Sequence, residues 1–322
     1  MRLKTNFYSD WVNALKDVLS NEWGCDISSL SDTDIPYVYF NTKNRRPSQK
    51  KREVILADTF VCPKNLESGF KRLVSRVENG NDLTKNLSKK VFFPRKEDFM
   101  LNDWHVHHFH LNENADGSFE KGSPSLVFAW LVSNKFHVIG IFPHNDWVNQ
   151  EVVETMHRNW PLELDCYKLS YDNEYMAYRN KNRIVVCDGV DLSRVSKDSL
   201  QEKRENGAFT PVVTDDGTIY IFSHRIFEMH CFTSDQKYVL EKLEKHLTGI
   251  LKHIKTDLEN LGYDGTSDLE AYMEGTDTHY IAIFPKYRIS VSLMAKSERM
   301  IPGFEKRCCQ LSDDALQKTV RL

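Results

Sequence analysis

The sequence predicts an α+β protein, with a central antiparallel β-meander flanked by helices and a second α+β lobe of hairpins and one long helix. Three successive apolar segments in the middle of the chain, separated by turn signals, indicate the meander. Amphipathic stripes before and after them indicate the helices. From about residue 171 the composition changes to short strand pairs and a leucine stripe. We therefore expect two domains, a basic N-terminal region plus histidine-rich sheet at 1–170 and an α+β lobe at 171–322.

The N-terminal hundred residues contain two helical patterns and two strand patterns. Apolar residues at helical spacing predict a first helix with Ser9 or Asp10 as its N-cap and Gly24 as its end, and a second one closed by Gly80. The two strand patterns are rich in β-branched or aromatic residues. They are IPYVYF at 35–40 and EVILA at 53–57.

The central block predicts three successive strands. They are DWHVHHFHL, SLVFAWLV (125–132) and FHVIGIF (136–142), and a tight turn at Ser133 and Asn134 joins the last two. The following segment QEVVETMHRNWP is helical in pattern and must end before Pro161, because proline cannot continue a helix that precedes it.

The second lobe predicts turns and one long helix. Asp216-Gly217 is a hairpin turn signal, and THYIAIF with YRISVSL forms a last hairpin. Between them, leucines and isoleucines from Leu240 to Leu261 line one side of a helix over 234–261. Such a stripe packs against its own lobe or forms the seam of a homodimer or another protein contact, and the spacing does not choose between these.

Charge is distributed unevenly. Residues 1–100 carry 18 Lys and Arg against 13 Asp and Glu, so this part is +5 and the remainder is −8 within a net charge of −3. The excess is concentrated in KNRRPSQKKR at 43–52, a composition typical of a solvated, mobile loop. Such runs also contact phosphate backbones, so Arg45 and Arg46 are candidate phosphate ligands for RNA.

The hydrophobicity pattern and the cysteine content argue against membrane proteins and disulfide-rich proteins. No apolar run approaches the ~20 residues that cross a bilayer, and the N-terminus lacks the apolar core of a secretory signal, so we expect no membrane association. The seven cysteines are dispersed and form no CxxC pair, which argues against a disulfide framework or a zinc knuckle. These features favour a cytoplasmic protein.

The candidate catalytic or metal-binding side chains are concentrated in the segment LNDWHVHHFHL (101–111). It holds four histidines within six positions: His105, His107, His108 and His110. Because side chains alternate along a strand, His108 and His110 would share one face, and His105 and His107 the other. His144 follows the third strand. The first and third strands of a meander run in the same direction, so their ends, and with them His110 and His144, should lie at one edge of the sheet.

Three interpretations of this cluster stay open. In the first, the imidazoles are a general acid and base without a metal, because an unperturbed pKa of about 6.5 allows proton exchange near neutrality. Cleavage of RNA needs a base for the 2′-hydroxyl, an acid for the leaving oxygen, and cations for the phosphate. We assign His110 and His144 as the pair and His108 as the residue that orients it. Lys121 and Arg158 would hold the phosphate.

In the second interpretation the protein is a metal-dependent hydrolase. A divalent transition metal would be the cofactor, and its ligands would be His108, His110 and His144, with Asp146 or Asp103 completing the shell. In the third, the histidines only pack and donate hydrogen bonds, and the protein is a non-enzymatic nucleic-acid-binding or scaffold protein that uses the loop 43–52.

Part of the sequence resembles an uncharacterised bacterial protein family with an HHxHL core motif. The segments that carry this resemblance are CPKNLESGF, 101–111, 126–147 and 159–161. The resemblance covers about residues 40 to 260. Its matching positions are His107, His108, His110 and His144. His105 falls where the family has a small residue, and Lys121 falls where it has an arginine, which keeps the charge but not the bidentate geometry.

The strand order, with one histidine on the first strand and another after the third, is similar to the core of small RNA-cleaving toxins of the RelE and barnase type. A fold-level similarity does not transfer a function by itself, but it favours the metal-independent ribonuclease interpretation. The sequence therefore predicts a bacterial, cytoplasmic, metal-independent ribonuclease-like hydrolase that binds RNA, of the toxin or antiviral, phage-defence type.

Overall fold

The computed structural model describes residues 2–111, 124–143, 149–168, 186–187, 190–191, 212–220, 225–275, 279–295 and 319–320. The chain forms two compact units. Unit 1 combines Met1–Phe40 with Met229–Leu322, and unit 2 is Asn41–Glu228. Helices and strands occur in both units, which confirms the α+β class.

Unit 2 is built on a four-stranded sheet. Its strands are β2 (Glu53–Leu56), β3 (Val106–Phe109), β4 (Ser125–Val132) and β5 (Lys135–Pro143). The order across the sheet is β2-β5-β4-β3. β3, β4 and β5 are the predicted antiparallel meander, and the predicted second N-terminal strand, β2, adds to β5 in parallel. β3 and β5 therefore run in the same direction, as expected.

Helices cover both faces of this sheet. They are α3 (Glu67–Asn79), α4 (Phe99–Trp104), α5 (Glu151–Asn159) and α6 (Pro161–Leu164). On one face, Val106, Phe128 and Trp130 pack with Val152 and Met156 of α5. The opposite face packs against α3 through a second cluster that includes Leu73, Val77, Phe109, Val127 and Phe136. The alternation of side chains along β3 thus decides which helix each histidine faces.

Two short hairpins complete unit 2. The first pairs β6 (Val186–Cys187) with β7 (Val190–Asp191), and the second pairs β8 (Val212–Val213) with β9 (Ile219–Tyr220). The second hairpin contains the predicted Asp216-Gly217 turn, where Gly217 has a φ of 85°.

The segment IPYVYF is helical, so the predicted strand at 35–40 is wrong. It begins α2 (Ile35–Arg45), with Pro36 in the first turn, where proline costs no hydrogen bond. Ile35, Val38 and Tyr39 are buried, and the Tyr39 ring stacks on Trp23 at 5.2 Å between centroids. Packing overrides the β-propensity of these residues.

Unit 1 brings the N-terminus together with the C-terminal third. β1 (Arg2–Lys4) pairs in parallel with β10 (Asp268–Glu270). The first helix, α1 (Phe7–Asp17), is capped by the Asn6 side chain rather than by Ser9 or Asp10, and a π-helical turn, Val18–Glu22, extends it to Trp23. Gly24 follows with a φ of 63°.

A second four-stranded sheet and the long helix form the rest of unit 1. The sheet order is β11 (Tyr272–Gly275), β12 (His279–Phe284), β13 (Ile289–Ala295), β14 (Thr319–Val320), and the predicted last hairpin is β12-β13. The long helix, α7 (Arg225–Asn260), begins earlier than predicted. Six residues of its predicted stripe are buried within a single chain, whereas Ile250 is half-buried and Leu261 is exposed. The six buried positions offer no apolar seam to a homodimer: Leu240, Leu243, Leu247, Leu251, Ile254 and Leu258. In the part of the chain that the structure describes, no helix has the length and apolarity to span a bilayer.

The two units differ from the predicted division at residue 170. Val212 and Tyr220 belong to the same core as β4 and α5, so the hairpin β8-β9 is part of unit 2. The first forty residues lie in unit 1, because β1 pairs with β10 and the Asp10 carboxylate accepts a hydrogen bond of 3.0 Å from the Met273 N–H. A pairing this distant in sequence leaves no local sequence signal.

Candidate functional site

The clustered histidines do not converge. α4 takes residues up to Trp104, and His105 ends it in the left-handed region with a φ of 60°, so β3 begins only at Val106. The predicted strand 103–111 is therefore too long at both ends. His107 and His108 are the only two of the four within β3, and as neighbours on a strand they face opposite sides of the sheet.

His108 contacts a carboxylate. Its Nδ1 lies 3.3 Å from Oδ2 of Asp98, and the two side chains are only 10% and 16% exposed. Asp98 is held in turn, because its Oδ1 caps α4 by accepting a hydrogen bond of 3.1 Å from the Leu101 N–H. The His108 ring also packs against Phe128, with 6.5 Å between centroids. This is an imidazole–carboxylate pair on the α5 face of the sheet.

The other three clustered histidines have separate environments. His107 stacks beside Phe109 on the α3 face, at 6.0 Å. The Nδ1 of His105 lies 3.2 Å from the hydroxyl of Tyr167. His110 follows β3; its N–H donates to the Asn86 carbonyl at 2.7 Å, and its own carbonyl accepts from the Asn86 side chain at 2.9 Å.

The segment after β3 is fixed against α3. A Cβ at Gly69 would collide with the Leu111 carbonyl, so this close approach requires glycine. The Arg76 guanidinium donates to Oδ1 of Asn86 at 2.9 Å, which holds the asparagine that binds His110. The position of His110 is thus set through its backbone.

Several predicted site residues lie outside the described residues: Lys121, His144 and Asp146. The pairing of His110 with His144 therefore stays a prediction, and so does the metal alternative. Among the described residues, no group of three or more His, Cys, Asp or Glu side chains is placed to hold a metal ion.

Arg158, predicted to hold phosphate, pairs with a carboxylate. Its Nε lies 2.9 Å from Oδ2 of Asp58 and its Nη2 lies 3.0 Å from Oδ1, a bidentate contact. The Asn159 amide donates to the same carboxylate at 2.9 Å. The hydrogen bonds from Arg158 and then Asn159 lower the pKa of Asp58 to about 2. Any phosphate at Arg158 would have to displace Asp58.

The basic run is ordered rather than a mobile loop. Its first residues, Lys43 to Arg45, end α2, and Arg45 is buried. Arg52 is buried as well and donates to the Ser48 and Lys50 carbonyls at 2.9 and 3.2 Å. Burial lowers the pKa of the Arg52 guanidinium. The Arg46 guanidinium lies 5.5 Å from the centroid of the Phe92 ring. Arg45 therefore has an internal role, not the predicted phosphate contact.

His137, on β5, is a buried histidine that the sequence did not single out as a site residue. It is fully buried, and its ring packs between Trp130 at 5.6 Å and Trp160 at 4.4 Å. Within the described part of the chain, neither ring nitrogen makes a hydrogen bond, and Oε1 of Glu163 lies 3.9 Å from Nε2. Burial lowers the pKa of His137 to about 4, so the ring is neutral at neutral pH.

A further histidine, His157 of α5, joins the hairpin β8-β9. Its Nδ1 lies 2.7 Å from the Tyr220 hydroxyl and its Nε2 lies 3.1 Å from Oδ2 of Asp216. Burial and then the charge of Asp216 raise the pKa of Tyr220. Although burial acts to raise it, hydrogen bonds from Thr214 and Thr218 bring the pKa of Asp216 well below its usual value.

Sequence reasoning missed Asp98 and the partners of His157. Asp98 stands directly before a short apolar helix, a position typical of an N-cap, and that signal could have shown the helix before β3. Tyr220 and Asp216 are remote from His157 in sequence, so no local signal joins them.

Comparison with family models, curated proteins and solved structures finds no match to this chain.

Proposed function

We propose that unit 2 is a metal-independent ribonuclease-like enzyme that acts on RNA and that His108 is its acid–base group. The observation that carries this proposal is the contact of His108 with Asp98, at 3.3 Å and largely removed from solvent. A carboxylate beside an imidazole stabilises the protonated ring, which favours proton uptake by His108 from the substrate.

In this mechanism His108 removes the proton of the 2′-hydroxyl, and the resulting alkoxide attacks the neighbouring phosphorus. The bond to the 5′-oxygen breaks as that oxygen takes a proton from an acid. We keep His144, which lies outside the described residues, as the candidate for this acid. Two nearby features support an RNA substrate: the sequence before Asp98 is rich in Lys and Arg, and the end of α2 supplies further positive charge. Such an enzyme would serve a bacterium as a toxin or in defence against phage.

The test is cleavage of a labelled, unstructured RNA in the presence of EDTA by wild type, His108→Asn and His107→Asn. We expect His108→Asn to lower the cleavage rate by about 10²- to 10⁴-fold, the usual contribution of general acid–base catalysis. His107→Asn is the matched control, because His107 is the neighbouring histidine on the opposite face of β3. Full activity in a folded His108→Asn protein would contradict the mechanism.

The same assay addresses the metal alternative. If the protein is a hydrolase that uses His108, His110, His144 and Asp146, EDTA removes its activity and stoichiometric metal copurifies with it. Activity that survives EDTA supports the metal-independent mechanism.

A second candidate function is RNA binding without cleavage. The cluster of cations formed by the end of α2 and residues 89–96 favours it. The two functions separate cleanly, because a binding protein retains RNA affinity in the His108→Asn variant and shows no cleavage in the wild type.

A further inference from the structure

Residues 89–96 form a surface segment whose backbone is tied to α2. The Asn41 amide donates to the carbonyls of Pro94 at 2.7 Å and Lys96 at 3.0 Å. The Arg45 guanidinium donates to the carbonyls of Lys90 at 2.8 Å and Phe93 at 3.1 Å. Asn41 and Arg45 are both buried, and their four hydrogen bonds to this segment are buried or partly buried. The segment therefore presents its side chains from a fixed backbone.

The side chains that it presents are cationic and aromatic. Phe93 is 58% exposed, among the largest exposures of an apolar residue in the described structure. We name as the basic face the exposed cations of this segment and of the adjoining end of α2, together with Phe93. Its cations are Lys43, Lys89, Lys90, Arg95 and Lys96. Glu97 is the exposed acidic residue at its end.

An exposed phenylalanine among cations has a specific physical meaning. Lysines and arginines attract any polyanion, but a solvent-exposed aromatic ring gains little from a phosphate or from an acidic side chain. An unpaired nucleobase matches it, because stacking buries both flat apolar surfaces while the neighbouring phosphates meet the cations. In a duplex the bases already stack on one another, so a protein ring reaches only the edges of the bases or the backbone.

We propose that the basic face binds single-stranded RNA, with Phe93 stacking on an unpaired base and Lys89, Lys90 and Lys96 contacting phosphates. This inference rests on RNA as the partner in the proposed function and adds the strandedness of the substrate. It also gives Arg45 a positioning role: its hydrogen bond to the Phe93 carbonyl holds the segment from which the ring projects.

The test is equilibrium binding of a fluorescent unstructured RNA of about twenty nucleotides, of the same sequence as DNA, and of the RNA duplex. Phe93→Ala should weaken single-stranded RNA binding by about 5- to 100-fold, as the loss of one stacked base does. Phe93→Trp should restore it, and the duplex should respond by less than about twofold, because its bases are not available to the ring. Leu162→Ala is the matched control, because Leu162 is 88% exposed and lies in α6, which is not one of the two segments that form the basic face.

The double variant Lys89→Glu/Lys90→Glu separates charge from stacking. It should weaken both single strand and duplex, and it should reduce the slope of log affinity against log salt by about 1.4 for two lost phosphate contacts. Similar affinity for single-stranded DNA would support the proposal, because stacking and phosphate contacts do not involve the 2′-hydroxyl. No binding of single-stranded DNA would overturn it, because recognition would then depend on the 2′-hydroxyl.

The two proposals fail in different ways. If wild type binds RNA and Phe93→Ala binds it equally well, the stacking proposal is overturned while the cleavage mechanism is unaffected. If wild type binds anionic lipid vesicles but no RNA, both are overturned. If the His108→Asn variant binds single-stranded RNA like wild type while Phe93→Ala does not, the basic face is supported independently of cleavage.

Discussion

His108 and His137 share one face of the same sheet, but their surroundings differ. The Asp98 carboxylate lies 3.3 Å from His108, whereas His137 packs between two tryptophans and the Glu163 carboxylate lies 3.9 Å from it. A carboxylate partner stabilises the protonated imidazole and can fix its tautomer, while an apolar enclosure keeps the ring neutral. The difference shows that the number of histidines in a segment says little about function, because the partner of each ring decides what it can do.

The largest effect is expected when His108 loses the charge of its partner. Asp98→Asn removes the carboxylate but retains the N-cap of α4, because asparagine caps as well as aspartate. We expect the rate of RNA cleavage to fall by about 10²-fold or more, with the helix content unchanged in circular dichroism. An unchanged rate would place His108 in the same class as His137, as a packed side chain.

The second effect concerns His137 and the pH dependence of stability. Its pKa is about 4 in the folded chain and about 6.5 when unfolded, so the unfolded state binds the extra proton first as pH falls. The contribution of His137 to the free energy of unfolding is therefore fully present above about pH 6.5, and it is lost progressively as the pH falls to about 4. From pH 7 to 4.5 we expect this histidine to account for a loss of about 2 to 3 kcal/mol in the free energy of unfolding.

Urea denaturation followed by tryptophan fluorescence measures this loss. His137→Leu and His137→Gln should both show a smaller loss between the two pH values than wild type, since neither side chain titrates. His253→Gln is the control, because His253 is an exposed histidine of α7. The same pH dependence in all four proteins would mean that His137 is protonated without penalty in the folded chain.

The smallest effect is expected at His157, whose two ring nitrogens both have partners. Tyr220→Phe removes the hydroxyl that lies 2.7 Å from Nδ1 and leaves the ring otherwise in place. We expect a loss of about 1 kcal/mol in the free energy of unfolding, the typical net contribution of one hydrogen bond. Thermal denaturation at pH 7 measures it. An unchanged free energy of unfolding would imply that water replaces the Tyr220 hydroxyl at no cost.

The elements with strong apolar patterns were predicted correctly from the sequence. The predictions were wrong where contacts between residues distant in the sequence determine the structure. β4, β5, α3 and the last hairpin were predicted correctly, because continuous apolar runs mark the strands and a helical apolar pattern marks the helix. The strand at 35–40 became α2, since the aromatic residues that favour a strand also pack well on a helix. The signal was Asp34 before Ile35-Pro36, which is typical of a helix start.

The candidate site was predictable only in part. His108 was recognised from the cluster, but the pairing by alternate faces failed because α4 and the left-handed His105 shorten β3. His105 has a φ of 60°, a conformation that glycine adopts without steric cost. The contact between Asp98 and His108 and the burial of Arg45 are not encoded by any local pattern.

The arrangement of the two units has a consequence for biosynthesis. The chain leaves unit 1 after Phe40 and returns to it at Met229, so β1 must wait for β10 before it can pair. At about 5 to 20 residues per second, the ribosome needs on the order of 10 to 40 seconds to make the intervening ~190 residues. During this interval Phe7, Trp11 and Leu15, all fully buried in the folded protein, have no core to enter. These apolar side chains therefore reach their final core only when the last third of the chain emerges.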